Sequence, residues 1–155
     1  MIQRIQTLYL LIATILTGSL FFLTMAEMAG SDGFYELTWR GVFQVEAGEA
    51  TELEIPAWAL SILTVLTTAT SLIALNLYKK RMIQIRLCSL NLGLLLGLSA
   101  MIYYIGKTGA RELEANELSF NWPLVLPLVA MVLVYLAIRA IGKDEALVRS
   151  VDRIR

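Results

Sequence analysis

The chain has 155 residues, 57% of them hydrophobic, with thirteen basic and thirteen acidic side chains that sum to zero and a mean hydropathy of +0.68. It is too apolar for a soluble domain, where about 45–50% apolar residues is usual, so the bilayer is the solvent to reason in. One cysteine, Cys88, excludes an intrachain disulfide.

The zero net charge hides a separated pattern. Ten basic residues (Arg4, Lys79, Lys80, Arg81, Arg86, Arg139, Lys143, Arg149, Arg153 and Arg155) fall in the N-terminus, the middle connection and the tail. Ten of the thirteen acids fall in the other two connections, among them Glu27, Glu36, Glu54, Glu112 and Glu117. Short loops rich in Lys and Arg stay cytoplasmic, which orients both termini inward.

In chain order, the first apolar run, 5–26, predicts a membrane span, and Thr14 and Gly18 four apart offer a small packing face. A signal-peptide reading is set aside, because only Arg4 precedes the run and its apolar part exceeds about 7–15 residues. The outer connection 27–55 changes period: Tyr35, Leu37, Trp39, Phe43 and Val45 alternate with polar neighbours. Period two predicts strand, with Gly41 as a bulge or bend and a second short strand over 51–55. A small antiparallel sheet is expected to cap the outer mouth.

The second span, 56–78, opens on Pro56 in a first helical turn, with Trp58 at headgroup depth. Ser61, Thr64, Thr67, Thr68, Thr70 and Ser71 make it rich in hydroxyls. The preferred reading has them bonded to carbonyls of their own helix; the other has Thr64, Thr68 and Ser71 lining a cavity. A tight reversal near Arg81 makes the third span, 87–105, its antiparallel neighbour. Gly93 and Gly97 form a GxxxG there, read as a close helix contact within the subunit in preference to a dimer face. The outer connection 106–121 is polar and adds a further strand or a short helix. Trp122 and Pro123 open the fourth span, 122–141. The tail, 142–155, reads as a short amphipathic helix with Leu147, Val151 and Ile154 on one face. That face suits either the anionic inner leaflet or a protein partner.

The segment Met1-Ile2-Gln3-Arg4 echoes Met82-Ile83-Gln84 with Arg86, each ahead of a span. Boundary chemistry shared by spans is preferred over a true repeat as its explanation.

No Asp, Glu, Lys, Arg or His lies in mid-span, and the chain has no histidine. Coupled transport and intramembrane proteolysis are therefore disfavoured, and no catalytic, cofactor or metal residues are assigned. The expected fold is all-α: a bundle of four transmembrane helices in one domain, 1–155, with a small β-rich outer cap between the first two helices. That outline is similar to the claudin-type tetraspan arrangement, without its cysteine pair.

The opening Met1 to Leu10, the middle Lys80 to Cys88 and the tail Asp144 to Arg155 resemble a bacterial domain-of-unknown-function family, number 4293. The resemblance implies a small four-span inner-membrane protein and no activity. The reading is a non-enzymatic accessory or scaffold protein of the bacterial inner membrane. Its cytoplasmic face, through Arg86, Arg149, Asp152 and Arg153, meets anionic membrane lipid or a protein partner; no nucleic-acid partner is expected. The alternative is a protein that handles lipids or small molecules in a cavity beside the second span.

Overall fold

The computed structural model describes residues 5–30, 33–46, 49–78 and 80–152. The elements in order are α1 (Ile5–Ser19), β1 (Ala26–Ala29), β2 (Phe34–Thr38), β3 (Gly41–Glu46), β4 (Glu49–Pro56), α2 (Trp58–Asn76), α3 (Arg81–Glu112), β5 (Glu117–Phe120), a 3-10 turn (Trp122–Val125) and α4 (Leu126–Asp152).

Two expectations are corrected. The fold is not all-α, because five strands among the described residues form one antiparallel sheet in the order β4-β3-β2-β1-β5. Nor is it a bundle of four transmembrane helices, and the claudin-like outline goes with it. Among the described residues three helical segments are long and apolar enough to cross a membrane: Trp58–Asn76, Arg81–Glu112 and Trp122–Asp144. α1 has 15 residues, about 22 Å at 1.5 Å each, against a hydrocarbon core of about 30 Å. The apolar run that suggested a span to residue 26 is divided: Leu20 and Phe21 turn away from the helix axis and Ala26 begins a strand.

The helices form a ring in which α1 packs on α4 and α2, and α3 packs on the same two. Each buries one stripe at helical spacing. On α1 the stripe is Gln6, Leu10, Ala13 and Thr17; on α3 it runs from Gln84 through Cys88, Asn91, Leu95, Leu98 and Ile102 to Gly109. The opposite faces are also apolar, with Ile62, Leu90, Leu96 and Val132 all more than half exposed. Apolar residues on every face of a helix suit a hydrocarbon solvent.

The sheet gathers strands from both outer connections. β1 sits between β2 and β5, in registers Ala26↔Leu37 and Ala26↔Phe120, so the cap is shared by the α1–α2 and α3–α4 connections. The expected single strand through Trp39 and Arg40 is a hairpin, with these two residues as its turn and Thr38 opposite Gly41. A two-residue turn places Leu37 opposite Val42 and Glu36 opposite Phe43, so facing positions change from odd to even numbers across the turn. Tyr35, Leu37 and Val42 are therefore buried together, and Phe43 and Val45 lie on the opposite face. Pro56 closes β4 opposite Gly41 rather than opening α2.

α3 is longer than the span expected over 87–105. Its 32 residues extend about 48 Å, and its last turns lie under the sheet. Gly106 and Gly109 allow that approach: a Cβ on Gly106 would come within 2.7 Å of the Phe120 ring, and one on Gly109 within 3.3 Å of Val42. The tail is a continuation of α4 to Asp152, without the separate helix expected after residue 142.

Candidate functional sites at the two ends of the helices

Chain direction brings the end of α1, the start of α2, the end of α3 and the start of α4 to the sheet, and their other ends to the opposite side, here termed the base. Acidic side chains collect at the sheet and basic ones at the base. On the outer face of the sheet, Glu27 lies directly opposite Glu36 of β2 and Ser119 of β5. Like charges in such a pair repel, and each carboxylate has a neutral donor: Thr24 Oγ1 donates to Glu36 Oε2 at 2.9 Å, and Asn121 Nδ2 to Glu27 Oε1 at 2.7 Å. Glu27 and Glu36, with Phe34, Val45 and Glu117, line an open hollow of about 400 Å³. Trp58 and Trp122 are 76% and 64% exposed at the sheet-side helix starts, as expected of interfacial anchors.

At the base, Lys80, Arg86, Arg139 and Lys143 are exposed. The Arg81 guanidinium reaches across to α4, where Nη1 donates to the Asp144 carbonyl at 3.3 Å. Among the residues expected to meet a partner, Arg86 projects outward from α3. Arg149 and Asp152 lie on the last turns of α4, their side chains outside the described set, and Arg153 lies outside the described residues altogether. Arg139 and Lys143, four residues apart on α4, join this surface beside α1.

The helix interior between these ends contains polar groups. Thr64, Thr67, Thr68 and Thr70 donate to carbonyls three or four residues back in α2, which satisfies them locally in the way preferred from the sequence. Ser71 is different: it accepts from Asn91 Nδ2 of α3 at 2.7 Å. One layer nearer the base, Gln84 Nε2 donates to the Ala74 carbonyl at 2.9 Å. Among the described residues, Gln84 Oε1, Asn91 Oδ1 and both amide atoms of Gln6 are buried without a protein partner. Gln6 and Gln84 are not among the residues expected to matter, although the sequence carries a signal for both. Each stands one turn ahead of a buried residue, Leu10 or Cys88, on the same helical stripe.

Gly93 and Gly97 do not make the close contact expected of them within the chain: a Cβ added at either would meet no atom within 4 Å. The interior glycines that do admit a close neighbour, Gly106 and Gly109, lie farther along α3.

Residues 2–154 match the family described as a domain of unknown function (DUF4293), and the chain belongs to that family. No curated protein matches it.

Proposed function

We propose that this family member is a non-enzymatic accessory or scaffold protein of a bacterial inner membrane, engaging anionic lipid or a protein partner through its basic end. The observation that carries this reading is the charge separation along the helices, with exposed Lys80, Arg86, Arg139 and Lys143 at the base and the carboxylates Glu27, Glu36 and Glu117 on the sheet. Cationic segments are retained on the cytoplasmic side, so the base faces the cytoplasm and the acidic sheet faces outward.

Orientation is tested with single cysteines in a Cys88→Ala chain. Glu52→Cys on β4 is expected to react with a membrane-impermeant thiol reagent in intact, wall-stripped cells, and Lys143→Cys only after permeabilisation; the reverse pattern would refute the reading. Scaffolding is tested by purifying the full chain from its own membrane in mild detergent. A stoichiometric partner that disappears on truncation before Asp144 is the expected result, and recovery of a lone chain with bulk lipid would count against a protein partner.

A cavity beside α2 receives less support, because Thr64 and Thr68 direct their hydroxyls to carbonyls of their own helix.

A further inference from the structure

At the base, α1 and α4 are separated by a shallow groove of about 390 Å³. Ile5 and Tyr9 line it from α1, and Leu136, Arg139 and Lys143 from α4, with Asp144 also in the lining. Its depth can be placed from the chain. Trp122 stands at the sheet-side interface, and the seventeen residues from there to Arg139 rise about 25 Å. Arg139 therefore lies near the far boundary of a hydrocarbon core of about 30 Å, and Lys143 about 6 Å beyond it. Those are the depths of a phospholipid's ester and phosphate groups. Tyr9 lies beside them, an amphipathic ring suited to the same level.

Neither Arg139 nor Lys143 has a hydrogen-bond or ion-pair partner among the described residues. The lining also holds one acid, Asp144, whose backbone carbonyl accepts from Arg81, and the two cations outnumber its single negative charge. The groove therefore presents two cations one helical turn apart, above an apolar wall of Ile5, Tyr9 and Leu136. A soluble anion would match the charges and leave the apolar wall uncovered. A lipid with a phosphodiester headgroup and acyl chains matches both.

We propose that this groove is a binding site for an anionic phospholipid, whose phosphate lies between Arg139 and Lys143 and whose acyl chain runs along Ile5, Tyr9 and Leu136. Basic recesses between membrane helices on the cytoplasmic side suit acidic headgroups, and the guanidinium of Arg139 can pair with two phosphate oxygens at once. The proposal rests on the orientation given above and narrows its cationic face to a single built recess.

The test is native mass spectrometry of the full chain in detergent, titrated with phosphatidylglycerol, with phosphatidylcholine and with inorganic phosphate as competitor. The wild-type chain is expected to retain one phosphatidylglycerol in preference to phosphatidylcholine, undisturbed by millimolar phosphate. Arg139→Ala with Lys143→Ala should weaken that retention about thirtyfold, the effect of removing two surface bases. Lys107→Ala with Arg111→Ala, which removes the same charge from the sheet end, should leave it unchanged, and Lys80→Ala with Arg86→Ala, elsewhere on the base, should weaken it less than the groove pair does. Leu136→Trp, which fills the groove and keeps both cations, should also abolish it, and a thermal melt of each variant confirms that it is folded. Equal retention by the Arg139/Lys143 variant, or displacement by phosphate, would overturn the site. If only the Lys80/Arg86 pair reduced retention, the general cationic face would stand and the recess would not.

Discussion

The core beneath the sheet and the core at the base differ in chemistry. Under the sheet, Leu20, Met25, Met28, Leu37, Val42, Leu60, Leu98 and Ile102 bury large apolar side chains from helices and strands, and glycines on α3 bring the two layers together. At the base, the cluster of Leu10, Ala13, Ala74, Cys88, Ala130, Val134, Ala137 and Ile141 is rich in alanine, with buried Gln6, Gln84 and Asn91 nearby. The first core joins a sheet to helices, and burial of apolar surface from water is available to hold that junction. The second joins helices whose outer faces are mostly apolar up to the basic residues at their ends. In lipid there is no such drive, and small residues with interhelical amide hydrogen bonds supply the contact.

The largest expected effect is on the sheet side. Gly41 has φ of 150°, a backbone region that side chains rarely adopt, and a Cβ there would collide with the Ile55 carbonyl oxygen. Gly41→Val should destabilise the cap by roughly 3 kcal/mol or more, combining backbone strain with a clash that only backbone movement relieves. A lowered melting temperature of the detergent-solubilised chain is the measurement, and an unchanged one would mean that the hairpin is not bound to the rest of the fold.

Leu37→Ala follows, since the side chain is fully buried between sheet and helices. A loss of about 2–5 kcal/mol is expected for such a cavity. The same readout applies, and a loss below about 1 kcal/mol would remove the contrast between the two cores.

At the base the sign reverses. Gln6→Leu replaces two buried amide atoms that have no partner among the described residues with apolar ones and should raise stability by about 1–3 kcal/mol. Gln84→Leu should change it little, because the bond to the Ala74 carbonyl is lost together with the unpaired Oε1. If Gln6→Leu destabilised, the amide would have a partner in the membrane-embedded protein that its burial in the chain does not show. The smallest effect is expected from Gly93→Ala and Gly97→Ala, where an added methyl meets nothing within 4 Å. Stability should rise by about 0.5 kcal/mol at each, the low end of the helix preference for Ala over Gly. A monomer that dissociates from a larger species on these substitutions would instead show that the face packs between copies.

Much of this organisation is legible in the residues. The helical runs of α2, α3 and α4, the alternation around Tyr35 and Leu37, and the opposing charges at the two ends all follow from local period and composition. From the residues alone the hairpin at Trp39 and Arg40 reads as one interrupted strand, because its alternation continues through the turn; only pairing shows that the buried face changes parity there. The end of α1 at Ser19 was hidden for a similar reason. Residues 20–26 are as apolar as the helix before them, and their apolar character serves the core beneath the sheet.

The base site divides in the same way. Arg139 and Lys143 can be counted among the basic residues from the chain alone, but their position opposite Tyr9 depends on α1 packing against α4, more than 120 residues away in sequence. Gln6 and Gln84 lie on buried stripes whose period is local, yet which of their atoms lack partners depends on what α2 and α4 bring to the same layer. Sequence by itself determined the apolar helices, the alternating strands and the separation of charge, since each is a near-neighbour pattern set by backbone geometry and solvent. Tertiary structure alone decided that β5 completes a sheet begun before α2, that the GxxxG face is left open, and that two cations share a groove with a tyrosine. Each of those facts depends on where distant segments are placed, and no local period encodes it.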